Sequence, residues 1–206
     1  MIAKKFDSVL IIGMGLIGSS ISRALYENNV ANKVFGLDSN EDVIKKCEEL
    51  NLLYKAESNI KNFNDQFDLI ILCSPLGTYK EIFFSLNEFI TKPTLVTDVG
   101  STKVSVVNDF YKSINNKNIK FLPSHPIAGL EKSGPEHGFA KLFENRYCII
   151  TPISEDEITF KLVSELWESI GMQIEKMAFK KHDRILDKTT HIPQLIAFSV
   201  VTTATE

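Results

Sequence analysis

Three closely spaced glycines suggest a phosphate-binding turn near the start of the chain. Gly13, Gly15 and Gly18 follow the apolar run VLII in the pattern G-x-G-x-x-G. Such a turn lets the backbone approach a pyrophosphate, and the N–H groups that open the next helix, at Leu16 and Ile17, face the phosphates. The pattern predicts a dinucleotide site because a strand-like run precedes it and a helix-like segment follows it.

A single carboxylate indicates which dinucleotide this site takes. Asp38 ends the apolar stretch KVFGL, 20 residues after Gly18. A carboxylate here accepts hydrogen bonds from the ribose of NAD and repels the 2′-phosphate of NADP. The next two residues are Ser39 and Asn40, and neither is an arginine that could neutralise that phosphate, so we predict NAD as the cofactor. Two plainer interpretations stay open: Asp38 could cap the helix that begins near Glu41, and the glycines could form an ordinary turn.

A second group of reactive residues lies further along the chain. His125 follows a predicted strand in the sequence SHPIAGLEKSGPE, and its unperturbed pKa of about 6.5 suits proton transfer at neutral pH. Ser101 lies in TDVGSTK, and Ser74 and Pro75 lie in CSPLG, each at the end of another predicted strand. Ligands of open α/β sheets bind at the carboxyl ends of the strands, so these segments should border one crevice. A loop histidine without a role is the alternative for His125.

The order of the apolar runs predicts the sheet that brings these segments together. Strand-like runs alternate with helix-like segments, which indicates an α/β fold with a doubly wound (Rossmann), mostly parallel sheet covered on both faces. The predicted strands are 9–12, 33–37, 69–73, 94–97, 120–122, 147–151 and 173–176. The predicted helices are 17–28, 41–50, 78–89, 103–113 and 155–169.

The C-terminal segment differs from the rest of the chain. From Phe179 onward the sequence resembles one long helix that Pro193 should kink. Its apolar stretch LIAFSVV has no partner segment in this sequence, and a helix that buries no apolar face is marginal. We therefore predict a Rossmann domain over 1–178 and the start of an incomplete helical domain over 179–206.

The composition excludes several classes of protein. The chain has 206 residues, of which 44% are hydrophobic and 24% charged, and its net charge is −3. Nothing in that charge suggests a nucleic-acid partner, and no apolar run approaches the roughly 18 residues of a membrane helix. The N-terminus does not resemble a secretory signal. Because Cys47, Cys73 and Cys148 lack metal-ligand spacing, we expect reduced thiols, no metal and a cytoplasmic location.

The longer motifs resemble the prephenate/arogenate dehydrogenases, and most closely the cyclohexadienyl dehydrogenase branch. The resemblance rests on GMGLIGSS, DVGSTK, HPIAGLEKSGPEHGFAKLFENRYCIITP and the segment HD…HIP at 182–193, and it spans nearly the whole chain. It implies an NAD-dependent oxidative decarboxylation in tyrosine biosynthesis. The products are 4-hydroxyphenylpyruvate from prephenate or tyrosine from arogenate, and aromatisation of the ring drives the reaction.

The same resemblance implies roles for the residues at the predicted crevice. His125 accepts the proton of the substrate hydroxyl, and Ser101 orients that hydroxyl and the nicotinamide. Ser74 and Pro75 border the cofactor, and Glu131 matches an acidic residue at the mouth of the site. The alternatives are a helix cap for Ser101, a purely structural turn at Ser74 and Pro75, and a solvated loop charge for Glu131.

Further site residues are implied in the C-terminal segment. The resemblance places His191 near the substrate, with a packing histidine as the alternative. Gln194 stands where the family often has a second histidine, and it can hydrogen-bond but cannot titrate. For His182 and Asp183 we expect a structural role between the two predicted regions, although the corresponding family segment also lines the active site.

One part of the family pattern is missing from this sequence. The family binds the substrate carboxylates largely through a G-F-x-D-x-T/S-R segment of its helical domain, which also forms most of the dimer interface. Lys103, Lys132 and Arg146 are nearby cations but form no evident bidentate clamp. We therefore expect the chain itself to bind NAD with little or no turnover, and a homodimer where the helical domain is complete. A dehydrogenase of the 3-hydroxyacid type and a non-catalytic NAD-binding fragment are the alternative functions.

Overall fold

The centre of the protein is a six-stranded parallel sheet, seen in a computed structural model that describes residues 5–188. Its strands are β1 Phe6–Ile12, β2 Ala31–Leu37, β3 Lys55–Glu57, β4 Leu69–Leu72, β5 Thr94–Asp98 and β6 Ile119–Phe121. They lie in the order β3-β2-β1-β4-β5-β6, and every neighbouring pair is parallel. The winding changes direction between β1 and β4, and this switch point opens a crevice at the carboxyl ends of the strands.

Helices cover both faces of this sheet because its central strands are apolar on both sides. The helices are α1 Leu16–Glu27, α2 Glu41–Glu49, α3 Tyr79–Phe89, α4 Val104–Ser113, α5 Glu157–Ser169 and α6 Phe179–Leu186. In β1, Val9 and Ile11 join a buried cluster with residues of α1 and α5. Leu10 and Ile12 point the other way and join a cluster with residues of α3 and α4. Each such side chain contributes about 1.5–3 kcal/mol on burial. The parallel strand order, with helices packed on both faces, confirms the predicted doubly wound class.

The last three strands form a small second sheet instead of extending the first. These are β7 Ser124–Pro126, β8 Tyr147–Ile150 and β9 Gln173–Lys176. Strand β8 runs antiparallel to β7 and parallel to β9. The expectation that 147–151 and 173–176 continue the main sheet was wrong. Pro123 has no N–H to donate, so the ladder of β6 ends there and the chain turns away into β7.

The other predicted elements agree closely with the structure. The predicted helices begin within two residues of α1 to α5, and all seven predicted strands are present. The sequence did not reveal β3 or β7, which have three residues each. Strand β3 is the edge sequence KAE and has no apolar run, whereas β7 contains a proline.

Helix α6 begins at Phe179 as expected. Pro193 and the rest of the expected long helix lie outside the described residues, so the division at 178/179 stays a prediction. Within residues 5–188, no helix has the length and apolar character needed to cross a bilayer.

Candidate functional site

The glycine-rich turn joins β1 to α1 at the switch point of the main sheet. Gly13 has a φ of +96°, and a Cβ there would lie 2.5 Å from the backbone nitrogen of Ser74. A Cβ on Gly18 would collide with the carbonyl oxygen of Gly13. Gly15 differs, because a Cβ on it would meet nothing within 4 Å. The fold itself therefore requires Gly13 and Gly18, whereas Gly15 faces open space at the N-terminus of α1.

Asp38 follows β2 and is held against this turn. Its Oδ2 accepts a 2.8 Å hydrogen bond from the N–H of Met14, and its Oδ1 accepts a 3.0 Å bond from the N–H of Asn40. The helix-cap interpretation of Asp38 is wrong, because the side chain of Asn40 accepts from the N–H of Asp42 and caps α2. The carboxylate thus stands beside the glycine turn, where a dinucleotide ribose would lie.

A first cleft of about 440 Å³ opens beside Asp38. Its walls come from the ends of β1, β2 and β4, from the turn after β3 and from α3. They include Gly13, Asp38, Ser74 and Pro75. The lining mixes apolar side chains with a few polar groups, as is typical of a small-molecule or cofactor site.

A second cleft of about 370 Å³ adjoins the first along the carboxyl edge of the sheet. It is lined by Ile17 in the first turn of α1, by Ser101 and by His125, and again by Ser74 and Pro75. The two clefts therefore share the turn after β4. The structure brings the predicted proton acceptor and its predicted partner serine to one cleft, next to the glycine turn.

His125 is the middle residue of β7 and not the loop residue that its sequence context suggested. It pairs with Ile149 of β8, which fixes its backbone. The half-buried imidazole places Nδ1 3.0 Å from Nε2 of His182 in α6. Because His182 is 57 residues away in the sequence, this contact could not be read from local spacing.

Ser101 is exposed just before α4 and does not cap it. The N–H groups of Lys103 and Val104, which open this helix, donate to the carboxylate of Asp183 in α6. The helix-cap interpretation of Ser101 is therefore wrong, since another residue holds those groups. Ser101 lines the second cleft instead.

A buried ion pair supports the strand that carries His125. Nζ of Lys103 lies 2.6 Å from Oδ2 of Asp98, and both side chains are fully buried. Nζ also donates to the carbonyl oxygen of Ser124, while Oδ1 of Asp98 accepts from the N–H of the same residue. Burial raises the pKa of Asp98 and lowers that of Lys103, and their contact opposes both shifts. Ser124, directly before His125, is thus held at both its backbone groups.

This pair bears on substrate recognition. Lys103 was named as a nearby cation that forms no evident bidentate clamp, and its ammonium is buried in the pair with Asp98. Sequence reasoning missed Asp98 as a supporting residue. The only signal was its place at the end of β5, since an acid that closes an apolar strand requires a partner.

The remaining predicted residues that the structure describes do not line the clefts. Glu131 is exposed on the loop after β7 and lines neither cleft, so its role stays a prediction. Lys132 and Arg146 are also exposed. His191 and Gln194 lie outside the described residues.

The strand order, the glycine turn and the two joined clefts define a nucleotide-binding domain of the dehydrogenase type. The family "Prephenate dehydrogenase, nucleotide-binding domain" matches residues 21–176. The chain belongs to this family, which confirms the resemblance seen in its motifs and argues against a dehydrogenase of the 3-hydroxyacid type.

Individual relatives agree with this assignment. The chain is 34% identical over 199 residues to a cyclohexadienyl dehydrogenase from Zymomonas mobilis, covering 95% of this chain and 67% of the relative. It is 29% identical to a prephenate dehydrogenase from Bacillus subtilis, covering 95% of this chain and 53% of the relative. The crystal structure of Aquifex aeolicus prephenate dehydrogenase with hydroxyphenyl propionate and NAD+ superposes with a TM-score of 0.89 at 33% identity. It covers 96% of this chain and 68% of that one. The chain thus spans between about half and two thirds of these relatives.

Proposed function

We propose that this chain forms the NAD-binding and proton-accepting part of a cytoplasmic prephenate or arogenate dehydrogenase in tyrosine biosynthesis. The arrangement of two adjoining clefts carries the proposal. One cleft combines the glycine turn with Asp38, and the other combines Ser101 with His125. The Aquifex aeolicus relative was solved in complex with hydroxyphenyl propionate and NAD+, which supports a site that takes a cofactor and a ring compound together.

The residues around the first cleft suit NAD. Gly15 leaves space for a pyrophosphate, and the N-terminus of α1 has neither an acidic residue in its first turn nor a side-chain cap from the described chain. Its N–H groups at Leu16 and Ile17 can therefore bind the phosphates. Asp38 accepts the ribose hydroxyls and disfavours a 2′-phosphate. Ser74 and Pro75 lie between the two clefts, where the cofactor would cross.

The second cleft supplies proton transfer and orientation. Bound NAD provides the hydride acceptor for C4 of the cyclohexadienol ring. His125 accepts the hydroxyl proton at that carbon, so a carbonyl begins to form as the hydride leaves. Loss of the ring carboxylate as carbon dioxide then makes the ring aromatic, because the electron pair of the broken C–C bond moves into the ring and onto the carbonyl oxygen, which takes up a proton to become the phenol. Ser101 holds the hydroxyl in line with His125 and thereby lowers the entropy cost of the step.

Recognition of the substrate depends on further residues in this proposal. The described cations near the second cleft do not offer a carboxylate clamp, because Lys103 is committed to Asp98. We assign Glu131, His191 and Gln194 to the substrate side of the site. A clamp for the carboxylates and the surface of a homodimer would come from segments like those that the longer relatives contain.

Turnover with prephenate and arogenate tests this function. The chain is assayed alone and joined to the part of the Zymomonas mobilis relative that lies beyond the 199 matched residues. We expect NAD binding in both proteins, and NADH with an aromatic product only in the joined protein. If the joined protein binds NAD and prephenate yet forms no NADH, the chain is a binding module without catalysis and the proposal is wrong.

A further inference from the structure

The N-terminus of α4 and the imidazole of His125 are linked through two residues of α6. Asp183 accepts the N–H of Lys103 at Oδ1 over 2.7 Å and the N–H of Val104 at Oδ2 over 2.9 Å. These bonds hold the start of α6 against α4. Its neighbour His182 is fully buried between this helix end and β7.

Three side chains form a continuous line of hydrogen bonds from this helix end to the second cleft. Nδ1 of His182 lies 2.7 Å from Oδ1 of Asp183. Nε2 of His182 lies 3.0 Å from Nδ1 of His125. The two imidazole rings meet at 64° with their centroids 5.2 Å apart, so the contact is between ring edges and is not a stack.

The charge of Asp183 determines which atom donates and which accepts in each of these hydrogen bonds. Burial opposes its ionisation, but hydrogen bonds from Val104, His182 and Lys103 outweigh burial and lower the pKa of Asp183. The carboxylate is therefore ionised at neutral pH and can only accept hydrogen bonds. Burial also lowers the pKa of His182, more than its bond to Asp183 raises it, so this imidazole is neutral.

The proton positions follow from these two charge states. Because Asp183 only accepts, the single proton of neutral His182 is on Nδ1 and its Nε2 is an acceptor. Nδ1 of His125 must then donate to that nitrogen. In neutral His125 the other nitrogen, Nε2, therefore carries no proton. Free histidine prefers the opposite tautomer, with its proton on Nε2.

We propose that His182 and Asp183 are positioning residues that hold His125 in its Nδ1–H tautomer, with Nε2 as the proton-accepting atom. The chemical meaning of this arrangement rests on the proposed function. The substrate O–H bond breaks, the proton forms a bond to Nε2 of His125, and the resulting imidazolium keeps its Nδ1–H bond to His182. Asp183 balances the new positive charge from the far end of the line, as the carboxylate does behind the histidine of a serine protease.

The tautomer is measured directly by nitrogen-15 NMR of the 206-residue chain with labelled histidine, without cofactor or substrate. At a pH at which both imidazole rings are neutral, we expect a pyridine-type Nε2 and a protonated Nδ1 for His125. The same pattern is expected for His182, whose Nδ1 faces Asp183. A wild-type His125 with its proton on Nε2 overturns the proposal, whether or not the protein turns over prephenate.

Two variants separate positioning from packing. His182→Leu fills the space but accepts no hydrogen bond, so the pyridine-type Nε2 signal of His125 should be lost. In His182→Gln the amide nitrogen can donate to Asp183 while the oxygen accepts from His125, so the wild-type tautomer should return. His137→Gln, at an exposed site in another loop, is the control and should leave the His125 signals unchanged. A retained tautomer in folded His182→Leu contradicts the role of His182, and if that variant does not fold, a lost tautomer in His182→Gln does so.

The NMR measurement and the turnover assay test two separate claims, and either claim can be wrong while the other holds. If the joined protein is inactive but His125 shows the expected tautomer, the line of hydrogen bonds stands and the proposed reaction does not. If turnover is normal and the tautomer is the opposite one, the proposed function stands and the positioning role is withdrawn.

Discussion

At the scale of single residues, the three glycines of the turn divide into two kinds. Gly13 and Gly18 are required by contacts inside the protein, because side chains there would collide with the neighbouring backbone. Gly15 has no such contact. We propose that its lack of a side chain leaves room for a ligand to approach the backbone closely.

Alanine substitutions at two of these glycines make a matched pair. We expect Gly15→Ala to melt at the wild-type temperature and to bind NAD at least about tenfold more weakly, which corresponds to about 1.4 kcal/mol. Gly18→Ala should melt at a lower temperature, because its Cβ collides with the carbonyl of Gly13. Thermal melts and calorimetric titrations check both. Unchanged NAD affinity in Gly15→Ala would show that the phosphates bind elsewhere.

Asp38, which accepts a hydrogen bond from this turn, is the residue that we propose to select NAD over NADP. Asp38→Asn keeps one acceptor for Met14 or Asn40 but removes the charge that repels a 2′-phosphate. Because hydrogen bonds to a charged group contribute about 1.5–3 kcal/mol, we expect NAD to bind about 10- to 100-fold more weakly and NADP to lose less. The measurement is the ratio of the two dissociation constants. A ratio equal to that of wild type would remove Asp38 from the cofactor site.

His125 is the residue that we propose as the proton acceptor. In the active joined protein, His125→Asn should lower kcat by about 10²- to 10⁴-fold and leave NAD affinity unchanged, because asparagine hydrogen-bonds but does not accept the proton. Steady-state kinetics and an NAD titration on the same preparation check this. A kcat within about threefold of wild type would mean that another group takes the proton.

At the scale of elements, α6 is docked by charge as well as by packing. Asp183 supplies the two acceptors that the start of α4 requires. Asp183→Ala should lower the free energy of unfolding by about 0.5–2 kcal/mol, the usual cost of losing a helix N-cap. Glu168→Ala, at an exposed position of α5, is the control and should change stability little. Urea denaturation measures both, and equal stabilities would mean that the contact does not hold α6 in solution.

The burial of His182 predicts how stability depends on pH. Its pKa is lowered in the folded protein, mainly by burial, so the unfolded chain binds this proton first as the pH falls below about 6.5. The charged groups around it are Asp183, Lys103 and Asp98, and the imidazole of His125 also contacts it. Stability should therefore fall between about pH 6.5 and pH 5, above the range in which carboxylates titrate.

Urea denaturation at about pH 7.5 and about pH 5.5 checks this contribution. The loss of unfolding free energy should be smaller in His182→Gln than in wild type, whereas His137→Gln should behave like wild type. An identical loss in all three proteins would show that folding does not shift the pKa of His182.

The elements were largely predictable because their signals are local. Apolar runs such as that of β4 and helical periodicity such as that of α5 are contained in the segments that fold. The contact of His125 with His182 was not predictable, because it joins residues that are 57 positions apart in the sequence. Lys103 and Asp98 are only five residues apart, but their pairing depends on the path of the turn between β5 and α4, which apolar runs and helical periodicity do not predict. The second sheet was not predicted because its first strand, β7, has only three residues and one of them is a proline.

At the scale of the whole molecule, each of the two sheets contributes to a different cleft. The parallel sheet forms the first cleft at its switch point, and the second sheet carries His125 on β7 to the neighbouring cleft. The family match over residues 21–176 includes the whole second sheet and all strands of the first sheet except β1. The catalytic role proposed for His125 requires NAD in the first cleft.

Calorimetric titration of the wild-type chain with NAD and NADP is the most direct test of the proposed cofactor site. We predict one NAD bound per chain and at least about tenfold weaker binding of NADP, because of the Asp38 charge. Absence of NAD binding, or equal binding of the two dinucleotides, would contradict the account.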